Sequence, residues 1–271
     1  IRPIFWTILF IALSALIVMS GIKKGIEKYS RIMMPFLFFM VVILMIRSVT
    51  LPGAEKGILF LVKPDFSKIN TQVALAALGQ AFFSLSLGMG CMITYGSYIP
   101  KRENLTKLAF TTAMSDTLFA ILAGLAIMPA VFSFGISPQE GPGLVFIVLP
   151  RIFAQIPLGN IFAVMFYLIL FIAAITSSIS LLEVVTAYIT EKLKMKRKTA
   201  VAIISALVAV CASFSSLSQG VLQHVKIFGK SIFDFFDYLS ANILLPLGGL
   251  SIVLFVGWYI KKSTVYDEFT N

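Results

Sequence analysis

Three groups of oxygen-bearing residues stand where the surrounding chain is apolar. The first lies in residues 83–98, FSLSLGMGCMITYGSY, where Ser84, Ser86, Gly88 and Gly90 bracket Met89. Glycine adopts dihedrals other residues avoid, and serine hydroxyls compete for helical hydrogen bonds, so the stretch has the composition of a helix break. A small-residue packing face is the plainer reading of the same pattern. In hydrocarbon a break leaves amides and carbonyls without partners, each costing on the order of a few kcal/mol unless protein, ion or ligand meets them. The carbonyls ending a half-helix carry partial negative charge, which suits an ammonium group or Na⁺. The second group, in FIAAITSSIS, offers the hydroxyls of Thr176 and Ser177 with the Ala173 carbonyl one turn earlier. Three oxygens on one helical face suit a hard cation; hydroxyls bonding back to the preceding turn are the alternative. The third group is carboxylates. Asp116 (AMSDTLFAIL) and Glu183 both sit inside apolar runs, where an ionised carboxylate needs a cation or several donors. Glu183 follows Thr176 by two helical turns and reads either as part of an inner permeation path or as a buried hydrogen bond. Asp234 and Asp237, spaced i, i+3 at the start of the last run, are ordinary helix-dipole partners on their own.

The elements that must hold these groups follow from composition. The 271 residues are 59% hydrophobic and 13% charged, with mean hydropathy +0.97, whereas a soluble domain carries about a quarter charged residues. This is an all-α polytopic membrane protein. The apolar runs are continuous rather than alternating, which excludes a β-barrel. Cys91 and Cys211 have neither disulfide nor metal spacing and read as packing residues; His224 falls in a loop and reads as solvated. No nucleophile triad or metal cluster is present, so an enzyme is not expected. The net charge of +10 sits in short loops between apolar runs, which reflects membrane topology rather than nucleic-acid binding.

Apolar runs fall at about 3–21, 32–51, 73–99, 106–134, 159–190, 199–217 and 232–260, each long enough for a core that needs about 20 helical residues. Seven spans are expected. Lys and Arg concentrate in alternate connections, at 23–31, 101–107, 192–198 and 261–262, while the opposite connections mix in Glu55, Asp65, Glu140, Asp234 and Asp237. Positive loops face inward, so the first residue is expected outside the plasma (inner) membrane and the last in the cytoplasm. The first residue is Ile1 and the apolar run follows at once, which reads as a piece of a longer protein rather than a signal peptide. Residues 135–158 are too short and too rich in Pro and Gly to cross; an extracellular hairpin or cap is expected, serving as a lid or as a plain surface loop. The third run, as one helix, would be about 40 Å long against a core of about 30 Å. A tilt or a break at SLSLGMG absorbs the excess.

Several stretches, in order, resemble one family. GQAFFSLSLGMGCMITYGSY is similar to the sixth helix of the neurotransmitter:sodium symporters, with its unwound centre. AAITSSISLLE resembles the eighth helix, IKKGIEKYSRIMMPFLF the loop into the fifth, and FDFFD the start of the tenth. The resemblance covers nearly the whole chain. It implies the inverted-repeat sodium-symporter fold, in part: about helices four to ten, with 1–51 as the last two helices of the first repeat and 73–261 as the second repeat, in a single transmembrane domain over 1–271. It implies a sodium-coupled symporter of neutral, largely apolar amino acids, acting by alternating access with Na⁺ as the co-transported ion. The resemblance places the Phe83 and Ser84 carbonyls and the Ser86 hydroxyl at the substrate amine, and Phe83, Met89 and Leu181 around its side chain. It places Ser84 and Asp116 at one sodium, and Ala173, Thr176 and Ser177 at another. Asp237 is implied as an outer-gate residue with Asp234 auxiliary. Asp116 stands where the family commonly has asparagine, and a neighbouring register would put Ser115 there. With the first three family helices outside residues 1–271, these residues alone are expected to be inactive. A seven-span receptor shares the topology and is the alternative from another class.

Overall fold

The computed structural model describes residues 2–101, 103–135 and 143–270. Arg102, Glu140 and the rest of 136–142, within the expected inner loop and outer cap, lie outside the described residues. Among the described residues, six helices are long and apolar enough to cross a membrane: Arg2–Met19, Lys28–Val49, Leu105–Ser133, Gly159–Lys192, Arg197–Leu217 and the composite Ile232–Tyr259. The third apolar run is the exception. It forms α4 (Thr71–Ser84) and α5 (Cys91–Gly96) with non-helical chain between them, so the excess length is absorbed by a break.

The other elements, in chain order, are α1 (Arg2–Met19), α2 (Lys28–Val49) and α3 (Ala54–Val62), then α6 (Leu105–Ser133), α7 (Leu149–Phe153), α8 (Gly159–Lys192) and α9 (Arg197–Leu217). A hairpin of β1 (Lys226–Ile227) and β2 (Lys230–Ser231) leads into α10 (Ile232–Tyr238), α11 (Leu245–Leu254) and α12 (Lys262–Thr270). The chain divides into two compact units, residues 1–29, 70–112 and 175–271 in one and 30–69 and 113–174 in the other.

In the second unit the core joins Leu37, Met40, Val41 and Leu44 of α2 to Ala130 and Val131 of α6, Leu149 and Ile152 of α7, and Phe166, Ile169 and Ile172 of α8. Leu144 and Val148, one turn before α7, belong to it too, and the Tyr167 hydroxyl donates to the Val145 carbonyl at 3.0 Å. Within α6, Pro129 lacks an amide hydrogen and its ring crowds the preceding turn. The next amide, Ala130, donates to the buried Ser48 hydroxyl of α2 at 2.9 Å. A Cβ on Gly57 would stand 2.5 Å from the Pro129 Cα, so α3 meets this point main chain to main chain. Replacing Ser48 with alanine removes this buried interhelical bond and is expected to destabilise the protein by about 0.5–1.5 kcal/mol, read as a lowered thermal midpoint in detergent. An unchanged midpoint would remove Ser48 from that role.

In the first unit α1 packs on α9 through small and β-branched residues: Ile11, Ser14, Ala15 and Val18 against Ala200, Val201, Ile204 and Ser205. Small side chains permit the close approach that apolar helices need in lipid, where no water-driven force joins them. Cys91 is buried, whereas Cys211 faces outward from α9 and His224 is exposed. The hairpin pairs Lys226 with Ser231 and Ile227 with Lys230, turning through Phe228 (φ +50°) and Gly229 (φ +79°). Two positive-φ residues make the tight turn whose twist matches paired strands. Ser231 then caps α10, accepting the Asp234 N–H at 3.1 Å while its hydroxyl donates to the Asp234 carboxylate at 2.6 Å.

Candidate functional site: a broken helix with a ligand groove

The break is built by a specific capping pattern. At the end of α4 the Leu87 N–H donates to the Phe82 carbonyl at 2.8 Å and the Ser86 N–H to the Phe83 carbonyl at 3.2 Å. This nested pair of bonds closes a helix when the residue after the cap turns left-handed. That residue is Ser86, at φ +55°. A side chain there costs roughly 1–2 kcal/mol relative to right-handed backbone, and such strain gathers where function needs it. Gly88 (φ +78°) and Gly90 (φ +82°) continue the left-handed path, and the helix resumes when Thr94 N–H reaches the Gly90 carbonyl at 2.9 Å. The Phe83 carbonyl, expected to face a ligand, already accepts one amide; an oxygen with two lone pairs can take a second donor.

Along α4, up to Phe83 just ahead of the break, runs an open groove of about 1080 Å³. Phe82, Phe83, Gly79 and Gln80 of α4 line one side, Pro246, Gly249 and Leu250 of α11 the other, with Asp237 of α10 and Asn242 adding polar groups. Phe83 and Asp237, expected at the substrate and at the outer gate, therefore line one groove. Asp234 is occupied with Ser231, as a helix-dipole partner would be. Met89, Ser84 and Ser86 are half-buried in and around the break, and Leu181 is exposed on α8. Also on α8, Thr176 is buried and Ser177 exposed. The Thr176 carbonyl accepts the Ser180 hydroxyl at 3.1 Å, and Ser180 accepts the Tyr95 hydroxyl of α5 at 2.7 Å. Ser180 thus bonds back to the preceding turn. Asp116 and Ala173, both half-buried, belong to the second compact unit.

Past α5 lies a buried ionic knot that sequence reading had only half seen. Glu183 is fully buried. Both its oxygens accept from the Arg197 guanidinium, Oε1 at 3.1 Å and Oε2 in a shorter bond, and Oε1 also accepts the Tyr98 hydroxyl at 2.9 Å. The Arg197 Nε–H donates to the Val18 carbonyl at 2.9 Å. Bidentate pairing of this kind fixes geometry as well as charge. The knot ties the exit of the broken span to α8, the start of α9 and the end of α1. In the sequence Arg197 is one more basic residue of the 192–198 connection. The available signal was the need of Glu183 for a cation, with an arginine opening the next helix just past a short turn.

A multi-span helical chain whose one interrupted helix borders a groove defines a class of membrane transporter, and residues 3–271 match the Sodium:neurotransmitter symporter family. The chain belongs to that family. It is 44% identical to an uncharacterized sodium-dependent transporter of Haemophilus influenzae, over 98% of this chain and 60% of that protein. It is 43% identical to the uncharacterized sodium-dependent transporter YhdH of Bacillus subtilis, over 97% of this chain and 58% of that one. The crystal structure of MhsT in complex with L-phenylalanine superposes with TM-score 0.90 at 47% identity, covering 98% of this chain and 61% of that one. The chain thus spans about three-fifths of the length of these relatives. The fold is the family's inverted-repeat symporter fold, in part, and the receptor alternative has no support from these likenesses.

Proposed function

We propose that the protein carrying these residues is a Na⁺-coupled symporter of neutral, largely apolar amino acids that works by alternating access. The observation that carries the reading is the break between Ser84 and Cys91, just past the groove lined by Phe82 and Phe83, in a chain whose relatives are named sodium-dependent transporters. In this reading the break's carbonyls and the Ser86 hydroxyl take the substrate ammonium, favoured by the partial negative charge of a half-helix end. Phe83, Met89 and Leu181 surround its side chain, and no cationic residue stands among them to pair an acidic substrate. The phenylalanine bound in MhsT supports an apolar amino acid. Ser84 in the first unit and Asp116 in the second are each proposed as a Na⁺ ligand, and the α8 turn of Ala173, Thr176 and Ser177 as the holder of a further Na⁺. In this reading, which takes the basic connections as inward-facing, Asp237 stands at the outer mouth and the Glu183–Arg197 knot at the cytoplasmic end of an inner-membrane protein. Sodium then favours the outward-open state and substrate permits closure, with the knot sealing the inner end. The test is competition against radiolabelled L-phenylalanine uptake in proteoliposomes holding the complete gene product. Neutral apolar amino acids are expected to compete, and acidic and basic ones not, only under an inward Na⁺ gradient. Uptake indifferent to Na⁺, or blocked equally by glutamate, would overturn the reading.

A further inference from the structure

The break does not hang free in its unit: it is seated on two glycines of α11. A Cβ added to Gly248 would stand 2.2 Å from the Gly88 carbonyl oxygen, and one added to Gly88 would stand 2.3 Å from the Leu245 carbonyl oxygen and 3.0 Å from the Gly249 nitrogen. A Cβ on Gly249 would meet the Phe82 ring at 2.2 Å. The contact between the break and α11 is therefore reciprocal and made of main chain at its centre. Packed helices ordinarily keep their axes about 8–10 Å apart, and only glycine on both sides lets two backbones touch. Elsewhere on the same composite span Gly257 has nothing within 4 Å of such a Cβ, so the demand is local to 248 and 249. The Phe82 carbonyl is also the acceptor that closes the end of α4, and its ring rests on Gly249.

We infer that Gly248 and Gly249 are positioning residues for the ligand-binding break: the α11 main chain, rather than any side chain that touches cargo, sets where the oxygens of residues 84–90 stand. The inference rests on the transport reading above and adds to it a determinant of affinity held in main chain, with Gly249 bordering the groove and Gly248 behind it. Because the partner of Gly248 is backbone, no side-chain change can relieve an alanine there. Because the partner of Gly249 is a ring, trimming that ring can.

The experiment uses the complete gene product, with binding of radiolabelled L-phenylalanine at saturating Na⁺ and thermal midpoint both measured. Gly248→Ala is expected to weaken binding about tenfold or more, the scale of one displaced hydrogen bond to a charged group, while Gly257→Ala binds as the parent does. Gly249→Ala is expected to weaken binding and lower the thermal midpoint, and Gly249→Ala with Phe82→Leu, which relieves the ring contact but also alters the groove lining, to recover most of the midpoint. Should Gly248→Ala fail to yield folded protein, the Gly249 pair decides. Hydrogen exchange of amides 86–90 in the ligand-free state provides a readout independent of transport, and Gly248→Ala is expected to speed it. Parental binding by Gly248→Ala, no recovery in the double variant, or unchanged exchange at 86–90 would each overturn the inference. A parent that shows no Na⁺-dependent binding at all would instead overturn the transport reading, and the exchange comparison would still decide the role of the glycines.

Discussion

Glu183→Ala is expected to destabilise the protein by about 3–5 kcal/mol, because it leaves the Arg197 guanidinium without its counter-charge in a largely buried setting. The carboxylate accepts two bonds from Arg197 and one from Tyr98, and its side chain has no exposure while that of Arg197 keeps 26%. Removing one partner of such a pair costs far more than removing both, since apolar replacements of similar volume restore packing without an orphaned charge. Glu183→Leu combined with Arg197→Met is therefore expected to recover most of the loss, and the cycle of single and double variants isolates the pair. Glu183→Gln keeps shape and one acceptor, and is expected to cost about 1–3 kcal/mol. Under the proposed transport cycle, loosening the knot is expected to let the end it seals open more readily, with net uptake reduced. Thermal midpoints in detergent read the first effect and Na⁺-driven uptake the second. If Glu183→Gln melts and transports as the parent does, the knot seals nothing.

Thr176→Val together with Ser177→Ala is expected to raise the Na⁺ concentration needed for half-maximal amino-acid binding by about 10-fold to 100-fold for each hydroxyl that ligates the ion. A hydrogen bond or ligand bond to a charged group contributes about 1.5–3 kcal/mol, and about 1.4 kcal/mol is a factor of ten. Valine keeps the volume of threonine at the buried position 176, so packing changes little and the missing oxygen dominates. Affinity for the amino acid at saturating Na⁺ is expected to hold. Asp116→Ala moves Na⁺ dependence in the same direction through the other proposed ion. An unchanged Na⁺ requirement in the Thr176/Ser177 variant would remove that pair from ion binding.

The break was legible through the likeness of GQAFFSLSLGMGCMITYGSY to a family helix with an unwound centre, since the serines and glycines at 84–90 by themselves fit a small-residue packing face more simply. The continuous spans were legible from apolar length alone. What stayed hidden was pairing across distance. Arg197 looked like a loop cation because its partner lies on the preceding helix, and only the turn between α8 and α9 brings them together. The Ser48 hydroxyl meets the Ala130 amide across 82 positions, a contact announced only by Pro129 in the middle of a helix. Gly248 and Gly249 read as generic small residues, since nothing in LPLGGL says which backbone will press on them. The Phe228-Gly229 turn escaped notice because a phenylalanine rarely adopts the left-handed conformation that a two-residue hairpin demands.

That ligands complete the main chain of the break is open to direct measurement by hydrogen exchange of the peptide spanning residues 84–91 in the purified complete protein. Marked slowing is expected when Na⁺ and L-phenylalanine are present together and little when either is given alone. Identical exchange with and without both, at concentrations that saturate uptake, would contradict it.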